Sequence, residues 1–329
     1  MEDKRRNYLK YGLHVAILAG VVWAAIKYVN GQEVVAALAR FDYGLAPLML
    51  ALALSTLFLK ATRFSFLLQP FASTLPWATA INAYVAGQGA TVLPAGVAAR
   101  AGLLKQIGVP ISEGSVPVLA NSVTDQLFFV TLGLLAALWY PQARLPGVVI
   151  LVVLGVAALL FLFKPSRQWL ADAAHWLAKR LHVGRQWSSF LDSLPRVLTK
   201  KIVVVAFLTT ALAFAFFIIV LRLALQGVGL SVSYPVVLLA FILPTMLGRL
   251  VPIPAGLGVT EASMVGFLTV TAGVDTGAAV AGVAIFRIIG IFVPILFGAI
   301  IYFLFWRGED ENRGKRSEVQ AARASNADI

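Results

Sequence analysis

Eight ionisable side chains interrupt segments that are otherwise long and apolar: Lys60, Arg63, Arg100, Asp125, Arg222, Arg249, Glu261 and Arg287. A charge in such a segment costs free energy unless it meets protein, water or a polar ligand, so these residues mark where polar chemistry is to be sought. Arg100 follows Pro94-Ala95-Gly96 by one turn, and Glu261 follows Pro254-Ala255-Gly256 by one turn. Proline has no N–H and disfavours helix at the residue before it, so each tripeptide reads as a broken helix followed by a new helix start. A helix start carries unpaired N–H groups and the positive end of the dipole, and it favours an anion. Here that anion is a phosphate or the Glu261 carboxylate itself. Guanidinium groups suit phosphate because they donate two parallel hydrogen bonds. The expected chemistry is charge recognition, not bond making. The candidate substrate-binding residues are Arg100, Asp125, Arg249, Glu261 and Arg287, and the candidate break residues are Pro94, Gly96, Pro254, Gly256 and Gly258. No catalytic residue is expected. Structural roles compete: Arg63 and Arg222 lie near the ends of apolar runs and could snorkel to the interface, and Asp125 could pair with Arg287.

The elements that must carry these residues are helices in lipid. Of 329 residues, 60% are hydrophobic and 13% charged, where a soluble domain has about 25% charged. Mean hydropathy is +0.86. Apolar runs of spanning length recur throughout, and lipid admits only helices or closed barrels. The reading is an all-α polytopic membrane protein, which excludes a soluble enzyme and a secreted disulfide module. Cysteine is absent, so there is no thiolate nucleophile and no cysteine metal site.

The runs are Leu9–Val29, Gly44–Gln69, Trp77–Leu93 with a shorter piece to Gly108, Ser115–Tyr140, Pro146–Phe163, Ile202–Gln226, Tyr234–Val251, Leu257–Gly273 and Ala278–Trp306. Leu93-Pro94-Ala95-Gly96-Val97 is echoed by Ile253-Pro254-Ala255-Gly256-Leu257, and Arg63 and Asp125 stand at nearly the same offset from Arg222 and Arg287. Each half therefore reads as a span, a hairpin broken at Pro-Ala-Gly, and a long span with one central charge. The formal net charge of +12 is concentrated in the first ten residues, in 164–201 and in the tail. Such basic clusters face the cytoplasm. Both termini are then cytoplasmic, in the inner cell membrane. The first hairpin opens inward and the second outward, giving about six full spans plus two re-entrant hairpins in an inverted repeat, an architecture typical of secondary transporters.

The expected organisation is one transmembrane domain over 1–306, with repeat one at 44–140, a cytoplasmic amphipathic linker at 164–200, and repeat two at 201–306. A disordered cytoplasmic tail is expected over 307–329. In the linker, Trp169, Ala173, Trp176, Leu177 and Leu181 share one helical face opposite basic residues, as in helices lying on a membrane surface. His14, His175 and His182 are scattered, so no metal site is expected. Gly87-Gln88-Gly89 is no nucleotide fingerprint, because no strand precedes it.

Pro94-Ala95-Gly96-Val97-Ala98-Ala99-Arg100-Ala101-Gly102-Leu103-Leu104, with Asp125 downstream, resembles the first motif of the lysylphosphatidylglycerol synthase transmembrane (flippase-like) family. Pro254-Ala255-Gly256-Leu257-Gly258-Val259-Thr260-Glu261 resembles its second motif. The resemblance extends over residues 9–306. It implies a domain that moves aminoacylated phospholipid between leaflets, with Arg100, Asp125 and Glu261 at the family's polar positions. Val97, Ala98 and Ala99 stand where members often carry an arginine and a glutamate. No aminoacyl-transferase domain is read after Trp306, so a stand-alone membrane domain is expected. The resulting expectation is a transporter, not an enzyme, that moves a phospholipid or lipid-linked headgroup past the two Pro-Ala-Gly hairpins, with no cofactor. Its partners would be membrane lipids, anionic or aminoacylated phospholipid first; nucleic acid is not expected, and a homo-oligomer stays open. The rival readings are an intramembrane transferase acting on a lipid or polyprenyl-phosphate substrate, and a non-catalytic subunit of an envelope-assembly complex.

Overall fold

In a computed structural model of the chain, the described residues are 31–92, 96–139, 192–250, 256 and 258–306, with isolated positions between 141 and 180. The expected first span Leu9–Val29, Pro94, Pro254 and the tail 307–329 lie outside them, as does most of Pro146–Phe163 and of the linker. The helices in chain order are α1 (Gly31–Ala39), α2 (Ala46–Leu68), α3 (Trp77–Gly89), α4 (Gly96–Gln106) and α5 (Ile111–Trp139). They continue with α6 (Lys200–Gly227), α7 (Tyr234–Leu250), α8 (Val259–Ala272), α9 (Thr276–Arg287) and α10 (Val293–Ile301).

Among the described residues, four helical stretches are long and apolar enough to cross a membrane: Tyr43–Leu68, Ile111–Ala136, Lys200–Gly227 and Thr276–Leu304. At 1.5 Å per residue, a stretch of 26 residues reaches about 39 Å, beyond the roughly 30 Å of hydrocarbon. Their outer faces carry Leu127, Phe207, Leu208, Leu296 and Phe303, all exposed. Water would penalise that surface, whereas lipid accepts it. The chain is an all-α, multi-pass membrane protein. By contrast α3, α4 and α8 have 13, 11 and 14 residues, which reach only about 16–21 Å and are too short to cross alone.

The chain divides into two compact units. The first comprises Met1–Thr56, Asp125–Trp169 and Ala211–Val293, and the second Leu57–Thr124, Leu170–Thr210 and Pro294–Ile329. Each draws on both halves of the sequence. The first unit is centred on phenylalanines from four helices. Phe129 of α5 packs edge-on against Phe214 of α6 at 4.5 Å between ring centroids, and Phe241 of α7 meets Phe286 of α9 at 6.1 Å, also edge-on. Edge-to-face contact is favoured because the electron-poor rim of one ring meets the electron-rich face of the other.

In the second unit, Leu57, Ala61, Phe64 and Leu68 of α2 bury against Ala80, Ala83 and Tyr84 of α3 and Leu104 of α4. Here α3 also meets α10 with almost no side chain between them. A Cβ on Gly89 would stand 2.8 Å from the Ala299 nitrogen, and one on Gly298 would stand 2.8 Å from the Gly89 nitrogen.

The last span is continuous but not regular. Between α9 and α10 the backbone widens into a π turn over Ile288–Phe292, closed by the Val293 N–H donating to the Ile288 carbonyl five residues back. Pro294 accounts for it: the ring has no N–H and crowds the carbonyl four residues earlier, so the ladder loosens before the proline.

Gly298→Val should lower the unfolding temperature in detergent, at a cost of about 1–3 kcal/mol, because it wedges two backbones apart. Gly102→Ala, where an added Cβ meets nothing within 4 Å, should leave that temperature unchanged or raise it.

Candidate functional site

The second break lies in the first unit. Gly256 and Gly258 have φ of 62° and 83°, in the region where a Cβ clashes with the backbone. Gly258 caps α8 from outside. Its N–H donates to Glu261 Oε2 at 2.7 Å, so the helix closes its own first turn with the carboxylate three residues on. Glu261 Oε1 accepts from Nε of Arg287 in an ion pair. The side chains are 26% and 9% exposed respectively. Glu261 also sits in the first turn of α8, the helix end that stabilises a carboxylate. Behind the pair, the buried Thr260 hydroxyl occupies the space a side chain at Gly248 or Gly256 would need. These glycines let the end of α7 approach the break closely.

The first break lies in the second unit, between a short 3₁₀ turn (Ala90–Val92) and α4. Arg100 is only 5% exposed. Its Nη2 donates to Gln88 Oε1 at 2.6 Å, and its guanidinium lies 4.2 Å from the centroid of the Tyr84 ring. The arm passes over Gly87, where an added Cβ would collide with the Arg100 side chain. Its Nε is buried without a hydrogen-bond partner.

The remaining charges are placed as follows. Arg63 is 1% exposed and does not snorkel. It donates through Nε to Asn121 Oδ1 at 2.9 Å and through Nη2 to the Asn121 carbonyl at 3.3 Å, and Nη1 reaches the Thr210 hydroxyl. It thereby ties α2 to α5 and α6 within the second unit. Arg222 donates to the Val232 carbonyl at 2.9 Å and stacks 3.7 Å from the Tyr234 ring centroid, which anchors the loop after α6. Asp125 and Lys60 are half-buried on α5 and α2. Arg249 falls on α7, with its side chain outside the described residues. Sequence reading singled out Glu261, Arg287 and Arg100, and Thr260 beside Glu261, but gave no role to Gln88 or Tyr84. Gln88 had a signal, an amide inside an apolar, glycine-rich helix. Among the described residues no group of three or more His, Asp or Glu side chains could hold a metal ion.

Two breaks with charged residues just inside the new helices, in a chain of long apolar spans, are the features to set against known proteins. The lysylphosphatidylglycerol synthase TM region matches residues 12–298. The chain belongs to that family. No curated protein matches it significantly. The family carries a lipid-related function in the membrane, and the match spans both breaks and every charged residue discussed above. The lysylphosphatidylglycerol synthase TM fold of this chain thus keeps one break closed by an ion pair and the other lined by a cation.

Gly258→Ala should destabilise the folded protein by about 1–3 kcal/mol, because the left-handed backbone there strains any residue with a Cβ. Gly266→Ala, in the middle of α8 with nothing within 4 Å, is the control. Equal unfolding temperatures for the two variants would contradict the geometry at the break.

Proposed function

We propose that this protein moves a phospholipid or a lipid-linked headgroup between the two leaflets, and that it works as a transporter rather than an enzyme. The observation that carries the reading is the Glu261–Arg287 pair, held at a helix break inside an apolar chain. Removing one partner from a buried pair costs about 3–5 kcal/mol, because the other charge is left uncompensated. A headgroup with a phosphate and an amine avoids that cost. Its phosphate takes Arg287, its amine takes Glu261, and neither protein charge is left alone. A zwitterionic or aminoacylated phospholipid has this chemistry, and a neutral lipid does not. Family membership supports the reading, since the family's membrane region is tied to lysylphosphatidylglycerol.

In this proposal the two Pro-Ala-Gly hairpins form the passage, the sequence halves are an inverted repeat, and alternating access comes from rocking one against the other. Both termini face the cytoplasm at the inner membrane, on the strength of the basic clusters at 4–10, 164–201 and 307–323.

The test is leaflet exchange in proteoliposomes, read with headgroup-labelled lipids and a membrane-impermeant quencher. Glu261→Gln keeps an oxygen for the Gly258 N–H but loses the charge that holds Arg287. It should stay folded and slow exchange by about tenfold or more, roughly 1.4 kcal/mol on the barrier. Exchange at the wild-type rate in this variant would remove Glu261 from the path.

A further inference from the structure

The two breaks satisfy their charges differently. Behind Gly258, the α8 start carries its own anion, Glu261, already paired with Arg287. Behind the first break, α4 carries a cation, Arg100, in its second turn. A guanidinium stays charged whatever its surroundings. Arg100 nevertheless sits 95% covered, against an aromatic face and one neutral amide. Among the described residues no carboxylate pairs with it.

The hydrogen-bond pattern shows which edge is incomplete. Nε and Nη2 lie side by side and match the two oxygens of a carboxylate or phosphate. Gln88 offers a single carbonyl oxygen and takes Nη2 alone. Nε is left buried and unpaired, a state that polar groups in folded proteins rarely keep. Gln88 is half-buried on the last turn of α3, so its amide is free to yield the edge. Gly87 and Tyr84 fix the arm from behind: the first leaves room for its methylenes, and the second sets its ring centroid 4.2 Å from the guanidinium carbon.

From this geometry we infer that Arg100 is a two-point binding site for a phosphate monoanion, with the Gln88 amide as a placeholder that the phosphate displaces and Tyr84 as the wall. The inference rests on the proposed lipid transfer only for what carries the phosphate, a lipid headgroup or free phosphate. Gln88 is a positioning residue here, because it acts through Arg100.

The experiment uses the full chain in maltoside detergent, titrated separately with inorganic phosphate, dihexanoyl phosphatidylglycerol and, as a neutral control, dihexanoylglycerol. Affinity and unfolding temperature are read for wild type, Arg100→Lys and Gln88→Glu. Gln88→Glu supplies the second oxygen internally. It should raise the unfolding temperature without ligand and weaken anion binding by about tenfold or more. Arg100→Lys loses the two-point edge and should weaken binding by a similar factor. Binding of the short-chain phospholipid with this variant pattern assigns the site to a headgroup; the same pattern with inorganic phosphate alone assigns it to free phosphate. Absence of anion binding, or unchanged affinity in both variants, overturns the inference, as does a Gln88→Glu protein no more stable than wild type. Leaflet exchange on the same preparations separates the two proposals. Exchange without anion binding sinks this site and leaves lipid transfer standing, whereas anion binding without exchange does the reverse.

Discussion

A backbone N–H away from water must find an acceptor, and in this chain that constraint is sharpest where apolar helices break. An unbroken span satisfies its own groups through the helix ladder, which is why lipid tolerates it. A break exposes several donors at once. The second break meets the demand locally: Glu261 folds back onto the Gly258 N–H with one oxygen and holds Arg287 with the other. The left-handed turns at Gly256 and Gly258, and the close approach of Gly248 to Thr260, follow from fitting this closure into a small space.

The first break meets the same constraint with the opposite charge. Where the second break is followed by a carboxylate, the first is followed by a guanidinium, which brings donors instead of an acceptor. The two breaks are alike in sequence and unlike in electrostatics. One is neutralised by residues of the chain, and the other keeps an unfilled edge on a buried cation.

The sequence made the helices legible because their signal is repeated in every residue of a span. Lengths, approximate ends and the location of both breaks follow from hydropathy and from two prolines. The charged residues were legible as rare events in apolar surroundings. Their partners were not. Arg287 was weighed against Asp125, on matching long helices, but it meets Glu261, because α8 and α9 turn back on each other within 26 residues. Arg63 read as a span-end residue. In the fold it is buried instead, because its partners Asn121 and Thr210 come from far along the chain. Gln88 belongs to the same class: its amide stands out in an apolar, glycine-rich helix, but the arginine it touches is not named by the sequence.

The contact between α3 and α10 has a mechanical meaning. Gly89 and Gly298 bring main chain against main chain, and no rotamer change can loosen such a contact. The two helices therefore share their degrees of freedom and translate or tilt as one beam. The 3₁₀ turn at Ala90–Val92 follows directly on the clamped end of that beam.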